Sequence, residues 1–245
     1  MNLETLSKMT GHDYIALEDK YGAHNYHPLP VVIAKGEGVF VWDTEGKRYY
    51  DFLSASSALN QGHCHPKIIE ALVNQAKELT LTSRAFYNNK LGEYEKFLGK
   101  LFGYNKVLPM NSGAEAVETA IKLARKWAYQ EKDIARNQAK IIFCEGNFHG
   151  RTVSIISAST DITATRNFGP YTPGYVTIPY NDTEALRAAL EDPTVAAFLV
   201  EPIQGEAGVI VPDDGFLHSC YTMCKDANVL FIADEIQTGI ARTGK

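Results

Sequence analysis

The chain has 245 residues, enough for one large domain or for one domain and part of another. Its content of 45% hydrophobic and 22% charged residues is ordinary for a globular protein in water. The net charge of -5 argues against a nucleic-acid partner, and no apolar run approaches the roughly 20 residues of a membrane span.

The N-terminal stretch lacks the features of a targeting peptide. Glu4 and Asp13 interrupt any secretory apolar core, and the first arginine, Arg48, comes too late for an arginine-rich mitochondrial presequence. We therefore expect a cytoplasmic protein, or a mitochondrial-matrix protein from which a presequence has been removed. The cysteines show no paired spacing and His63–His65 has no distant second ligand, so we expect reduced thiols, a structural turn and no metal site.

The first third of the chain predicts little regular structure. Residues 1–30 are polar and rich in tyrosine, which predicts an irregular arm. The β-rich stretches Gly38–Trp42 and Arg48–Phe52 flank the turn Asp43–Gly46, which is typical of a β-hairpin. A helix is predicted over Pro66–Thr80, because proline is favoured in the first turn of a helix.

Helical and strand patterns alternate from about Lys90 onward. The strands are continuously apolar and amphipathic helices lie between them, which indicates a parallel sheet covered by helices on both faces. Ligands bind such sheets at the carboxyl ends of the strands, so polar clusters there are the candidate sites. The predicted helices are Leu91–Phe102, Ala114–Gln130, Thr183–Leu190 (N-cap Asp182) and Gly215–Ala227, and the predicted strands are Lys140–Cys144, Tyr175–Ile178, Val195–Val200 and Val229–Ala233.

The first cluster, Asn111–Glu115, opens the strongest predicted helix. Backbone N–H groups at the start of a helix attract anions, and Gly113 permits the close approach of a phosphate. An ordinary serine N-cap at Ser112 explains the same residues, so both interpretations stay open at this point.

The second cluster, Gly146–Arg151, follows the strand Lys140–Cys144. Phe148 and Arg151 suit a planar anionic ligand, because an arginine can hold a carboxylate through two parallel hydrogen bonds. A polar loop with a surface arginine fits equally well. We expect His149 to be exposed, although it is also a candidate general base.

Acids follow the last two strands. Glu201 and Glu206 are candidates for an acid and a base or for charge partners, while the structural alternative is that Glu201 caps neighbouring backbone. Asp234 and Glu235 suit a metal, a ribose hydroxyl or a protonated ring nitrogen. Their structural alternative is an N-cap or a solvated strand end.

Five stretches carry a resemblance to a known family: Tyr21–Pro30, Asn60–Pro66, Leu79–Asn88, Val200–Val211 and Leu230–Gly239. They resemble the class III aminotransferases of pyridoxal-phosphate fold type I, and most closely the ornithine aminotransferase branch. The resemblance implies an α/β fold with a three-layer α/β/α large domain over residues 56–245, incomplete at its C-terminal side. Residues 1–55 would form an N-terminal arm and a β-hairpin of the small domain.

The resemblance also implies roles for single residues. The residues implied to hold pyridoxal 5'-phosphate are Ser112, Gly113 and Ala114 at the phosphate, Phe148 against the ring, Asp234 at the ring nitrogen and Gln237 at the phenolic oxygen. The residues implied to face substrates are Arg151 at a carboxylate of 2-oxoglutarate, Tyr26 at the α-amino group of ornithine, Ser56 beside the substrate and Glu206 as a gate.

The implied reaction transfers the δ-amino group of L-ornithine to 2-oxoglutarate and gives L-glutamate 5-semialdehyde and L-glutamate, a step of proline and arginine metabolism. A homodimer is implied for the full-length protein. The alternatives are acetylornithine or 4-aminobutyrate as the amine, or a catalytically dead scaffold that has kept the fold.

Three features depart from the family pattern. Ser56 stands where a tyrosine is common, and His149 stands where a tryptophan is common. The Schiff-base lysine is expected beyond Lys245 in a glycine-rich context that no lysine of this chain has. We therefore expect residues 1–245 alone to bind the cofactor weakly and not to transaminate.

Overall fold

A computed structural model describes residues 9–244 of the chain, so the first eight residues of the predicted arm lie outside the described residues. The chain divides into two compact units, residues 1–91 and residues 92–245. Each unit has its own secondary structure.

The predicted irregular arm is wrong for residues 11–21, because helix α1 spans Gly11–Tyr21. A capping box starts this helix. The side chain of Thr10 accepts a hydrogen bond from the backbone N–H of Asp13, and the carboxylate of Asp13 accepts one from the backbone N–H of Thr10 at 2.8 Å. Two orphan donors of the first turn are thereby satisfied, which favours a helix in an otherwise polar segment.

The predicted hairpin is confirmed and is part of a larger antiparallel sheet. Strand β1 is Ile33–Glu37, β2 is Phe40–Asp43 and β3 is Arg48–Tyr50, in the order β1-β2-β3. The carboxylate of Asp43 closes the β2–β3 turn by accepting hydrogen bonds from the backbone N–H groups of Glu45 and Lys47. The predicted helix that begins at Pro66 is also present, as helix α2, Pro66–Glu78.

The second unit has the predicted alternation of helices and strands. Its helices are α3 (Leu91–Phe102), α4 (Gly113–Gln130), α5 (Thr183–Ala189) and α6 (Phe216–Asp226), with single turns at Val153–Ile156 and Ile162–Thr165. Its strands are β4 (Lys140–Cys144), β5 (Tyr175–Ile178), β6 (Val195–Val200) and β7 (Leu230–Ala233). These strands form one parallel sheet in the order β5-β4-β6-β7.

Alternate residues of the central strands enter two separate cores. Ile141 and Phe143 of β4 pack with Ile121 of α4 on one face of the sheet. Ile142 of β4 packs on the other face with Phe216, the first residue of α6. All six residues of β6 are buried, as expected for a strand covered on both sides. The result is three layers, helix, sheet and helix, with the carboxyl ends of all four strands at one edge.

Candidate active site at the carboxyl edge of the sheet

Four polar segments meet at the carboxyl edge of the parallel sheet. Three of them follow strands directly: residues 145–151 after β4, residues 201–206 after β6 and residues 234–237 after β7. The fourth is the start of α4 at Ser112. The predicted clusters therefore belong to one site in the second unit.

Three glycines lie at the contacts between these segments. A Cβ added to Gly113 would lie 2.7 Å from Cγ2 of Ile236, so the start of α4 is packed against the loop after β7. A Cβ added to Gly150, whose φ is +128°, would lie 2.9 Å from Cβ of Ala114, so the loop after β4 is packed against the start of α4. The side chain of Gln237 lies where a Cβ of Gly205 would be, with its Oε1 only 1.5 Å from that position. A side chain at Gly113 or Gly150 would press on the neighbouring segment, whereas at Gly205 it would displace the end of the Gln237 side chain.

The serine N-cap at the start of α4 is confirmed, and the anion site there stays a prediction. Ser112 is the N-cap, and its hydroxyl accepts a hydrogen bond from the backbone N–H of Glu115 at 3.2 Å. The N–H groups of Gly113 and Ala114 precede the first possible intrahelical bond, so they stay available to an anion. The carboxylate of Glu115 accepts a hydrogen bond from the backbone N–H of Asn111 at 2.8 Å, which keeps that acid bound to the segment before the helix.

Asp234 forms a buried pair with His149. The Oδ2 atom of Asp234 lies 2.6 Å from Nδ1 of His149, and the exposed fractions of the two side chains are 5% and 0%. The expectation that His149 is exposed is wrong. Its ring centroid lies 5.8 Å from that of Phe143, a buried residue of β4.

Glu201 lies near this pair and has a structural contact of its own. Its carboxylate accepts a hydrogen bond from the backbone N–H of Phe148 at 3.0 Å, so the predicted capping of neighbouring backbone is confirmed. Burial raises the pKa of Glu201 above its usual value, and the nearby carboxylate of Asp234 raises it further. The hydrogen bond from Phe148 and the proximity of His149 act in the opposite direction.

Phe148 and Arg151 are exposed neighbours at the mouth of the site. The guanidinium carbon of Arg151 lies 5.5 Å from the centroid of the Phe148 ring, and 39% of Phe148 is exposed. Exposed aromatic surface beside a guanidinium suits a flat ligand that carries a carboxylate. Glu206 is also exposed, in the loop closed by the pairing of Gln204 with Ile210.

Tyr26 and Ser56 belong to the first unit. Tyr26 is 57% exposed between α1 and β1. Ser56 lies in the turn Ser54–Ser57, in which all four residues have left-handed backbone with φ from 49° to 72°. Asp51 supports this turn by accepting hydrogen bonds from the N–H groups of Leu53 and Ser54, and its other oxygen bonds His63 at 2.7 Å. His63 thus has a structural role.

Two buried amides that the sequence did not single out organise the loops. The side chain of Asn147 donates to the carbonyls of Cys144 and Ala158 at 2.6 and 2.8 Å. The side chain of Gln204 donates to the carbonyl of Glu145 at 2.7 Å. In the sequence, each of them is only an uncharged polar residue shortly after a buried strand. Surface loops contain such residues as well, so the sequence does not identify these two.

The comparisons with known proteins decide the family. Residues 21–245 match the family described as aminotransferase class III. The chain belongs to the class III aminotransferase family.

Relatives of this class III chain carry consistent names. It is 65% identical to the mitochondrial ornithine aminotransferase of Rattus norvegicus over 228 residues, which cover 93% of this chain and 52% of the rat protein. It is 59% identical to the ornithine aminotransferase of Plasmodium falciparum, over 95% of this chain and 56% of that protein. The chain thus spans about half the length of the curated relatives that it matches.

Solved structures of class III enzymes confirm the predicted fold. The ornithine aminotransferase of Toxoplasma gondii matches with a TM-score of 0.96 at 52% identity, over 99% of this chain and 57% of that one. A second structure of the Toxoplasma enzyme is described as having partial occupancy of PLP at the active site. The acetylornithine aminotransferase of Elizabethkingia anophelis matches with a TM-score of 0.85 at 62% identity, over 97% of this chain and 56% of that one.

No helix among residues 9–244 is long and apolar enough to cross a membrane. Those residues also contain no group of three or more His, Cys, Asp or Glu side chains that could hold a metal ion.

Proposed function

We propose that the complete protein is an ornithine aminotransferase that depends on pyridoxal 5'-phosphate. It moves the δ-amino group of L-ornithine to 2-oxoglutarate and gives L-glutamate 5-semialdehyde and L-glutamate. The observation that carries this proposal is the 65% identity to the rat protein of that name, over 93% of the chain.

The carboxyl edge of the sheet fits the cofactor. The N–H groups at Gly113 and Ala114, with Ser112, would hold the phosphate. Asp234 offers a buried carboxylate with acceptor capacity left for a protonated ring nitrogen. The bound cofactor supplies an electron sink for the negative charge that develops on the substrate carbon. Phe148 would lie against its ring, and Gln237 would contact its phenolic oxygen.

Four residues are proposed to handle the substrates. Arg151 would bind a carboxylate of 2-oxoglutarate, and Tyr26 would face the α-amino group of ornithine, so that the δ-amino group is presented for transfer. Ser56 would lie beside the substrate. The exposed carboxylate of Glu206 would act as a gate by pairing with an arginine.

Acetylornithine is the competing amine, because the 62% identical enzyme from Elizabethkingia anophelis is named for it. The two amines differ at the α-nitrogen, which is charged in ornithine and acylated in acetylornithine. In our proposal, Tyr26 is the residue that distinguishes the two amines.

The test is turnover of the complete natural protein with 2-oxoglutarate and one amine at a time: ornithine, acetylornithine or 4-aminobutyrate. We expect the highest kcat/KM for ornithine. Tyr26→Phe should lower that value about 10-fold, the cost of a lost hydrogen bond to a charged group, and should leave acetylornithine nearly unchanged. Tyr21→Phe, an exposed tyrosine nearby, is the matched control. Preferred turnover of acetylornithine would contradict the proposal.

Residues 1–245 by themselves are proposed to bind the cofactor weakly and not to transaminate, because none of their lysines has the sequence context of the covalent anchor. A homodimer and a cytoplasmic or mitochondrial-matrix location stay predictions. The rat relative is named mitochondrial, whereas the name of the Plasmodium falciparum relative carries no compartment.

A further inference from the structure

Arg151, which the proposed function assigns to a substrate carboxylate, lies in a segment that packs on helix α4. A Cβ added to Gly150 would lie 2.9 Å from Cβ of Ala114, so the backbone just before Arg151 is in contact with the helix. The hydroxyl of Thr152, just after Arg151, donates a hydrogen bond to Oε1 of Glu118 in the same helix. Contacts with α4 therefore lie on both sides of Arg151 in the chain.

The two contacts are made by one face of α4. Ala114 and Glu118 are four residues apart in this helix, so their side chains project from the same face, one turn apart. A single contact would let the segment pivot on the helix. Two contacts one turn apart oppose that rotation, and they fix the backbone of Arg151 relative to the helix axis.

The hydroxyl of Thr152 is not used as in an ordinary N-cap. Thr152 precedes the turn Val153–Ile156 with extended backbone, φ -82° being typical of other caps here and φ -75°, ψ 157° its own values. A threonine in this place usually accepts a backbone N–H of its own turn. Thr152 makes no such bond, and its hydroxyl donates to a carboxylate of α4 instead. A bond to an ionised acceptor is stronger than one between neutral groups, which favours the contact with the helix.

The turn that follows Arg151 is also anchored to the sheet. The hydroxyl oxygen of Ser154 lies 2.8 Å from that of Tyr175, the first residue of β5. Ile155 and Ile156 are buried. The turn is thus held between α4 and the sheet, and this rigid support leaves only the exposed side chain of Arg151 to meet a ligand.

Helix α4 also offers the proposed phosphate site, the N–H groups of Gly113 and Ala114. Within one turn a helix is a rigid hydrogen-bonded unit, so contacts at Ala114 and Glu118 place Arg151 at a set distance from that site. A substrate whose carboxylate is bound by Arg151 has its reacting atom positioned relative to the cofactor, and small displacements of such a group lower the rate strongly.

We propose that Thr152 and Glu118 are positioning residues for the substrate carboxylate: their hydrogen bond holds Arg151 in place relative to the phosphate end of α4. This inference rests on the proposed function and deepens it. Neither residue touches the substrate, and both act through Arg151.

The test uses turnover of ornithine and 2-oxoglutarate by the complete natural protein. Thr152→Val keeps the shape of the side chain and removes the hydroxyl. We expect it to raise the KM for 2-oxoglutarate about 3- to 10-fold, as for one partly exposed hydrogen bond, and to change kcat less than about 2-fold. Glu118→Ala should give a similar increase, and it replaces the valine variant if that variant does not fold. Thr152→Ser keeps a hydroxyl and should stay within about 2-fold of the wild type.

Two changes to one bond should not add. The protein with both Thr152→Val and Glu118→Ala should have a KM within about 2-fold of the valine variant alone. Increases that multiply would show that the two side chains act separately, and they would overturn the proposal. Thr222→Val is the matched control, because the hydroxyl of Thr222 bonds the carbonyl of His218 within α6, on the other face of the sheet.

Equilibrium dialysis with pyridoxal 5'-phosphate separates the positioning of Arg151 from general damage to the site. The cofactor has no carboxylate, so Thr152→Val should bind it within about 2-fold of the wild type. Equal losses in cofactor affinity and in KM would show a structural role only, and an unchanged KM would overturn the proposal as well. An Arg151→Gln variant with an unchanged KM for 2-oxoglutarate would instead overturn the proposed function of Arg151. Circular dichroism checks the fold of each variant.

Discussion

At the carboxyl edge of the sheet, some site residues were predictable from the sequence and their partners were not. The acids Glu201 and Asp234 were identifiable because each directly follows a buried strand. Their partners were not, because His149 follows β4 while Asp234 follows β7, and β6 lies between these strands. Only the strand order brings an aspartate and a histidine 85 positions apart within 2.6 Å.

The buried carboxylate of Glu201 predicts a pH-dependent stability. Burial raises its pKa in the folded protein above the usual value of 4.5, so its contribution to stability is largest below that value and is lost as the pH rises through the raised pKa. Glu201→Gln removes this loss and can still accept the hydrogen bond from Phe148. We expect the variant to gain stability over the wild type as the pH increases from about 5 to about 8, measured by thermal unfolding.

The control for this experiment is Glu206→Gln, which removes an exposed carboxylate from the same loop. It should change stability little at any of these pH values. A difference between Glu201→Gln and the wild type that is constant with pH would contradict the role of burial.

The contact of Gly205 with Gln237 predicts a variant with a local effect. A Cβ at position 205 would overlap the end of the Gln237 side chain, which is flexible and can move away. Gly205→Ala should therefore fold normally but weaken binding of pyridoxal 5'-phosphate about 2- to 10-fold, the value of one hydrogen bond. Gly92→Ala, in α3 with no atom within 4 Å of the added Cβ, should leave binding unchanged. Equal affinity of the Gly205 variant and the wild type would argue against Gln237 as a cofactor contact.

Secondary-structure elements were predictable where the hydrophobic pattern is strong. Strand β4 and helix α3 have the predicted bounds, because each is defined by its own apolar residues. Helix α1 and strand β1 were missed for different reasons. Helix α1 depends on its capping box rather than on an apolar face, and β1 is an edge strand whose residues are mostly exposed.

The contribution of the Thr10 capping box to the stability of α1 can be tested. Thr10→Ala removes the side-chain acceptor and should destabilise the helix by about 1 kcal/mol, which corresponds to roughly 5-fold faster hydrogen exchange of its amides if opening is local. Thr10→Ser keeps the hydroxyl and should exchange like the wild type. Unchanged exchange in the alanine variant would mean that contacts elsewhere hold the helix.

At the scale of the molecule, the two units differ in how they are stabilised. The second unit buries continuous apolar strands between helices, which the sequence predicted. In the described part of the first unit, Val41 is the one buried hydrophobic residue, and α2 exposes Ile68 and Leu72. The amphipathic pattern of α2 predicted a covered face, and a pattern alone does not identify what covers it.

In the function proposed above, four segments at the carboxyl edge of the parallel sheet form the binding site for pyridoxal 5'-phosphate. The most direct measurement is a crystal structure of the complete protein with that cofactor. We predict the phosphate at the N–H groups of Gly113 and Ala114, and the ring nitrogen within hydrogen-bond distance of Asp234, with His149 still bonded to its other side. A cofactor bound elsewhere, or a ring nitrogen turned away from Asp234, would contradict the account.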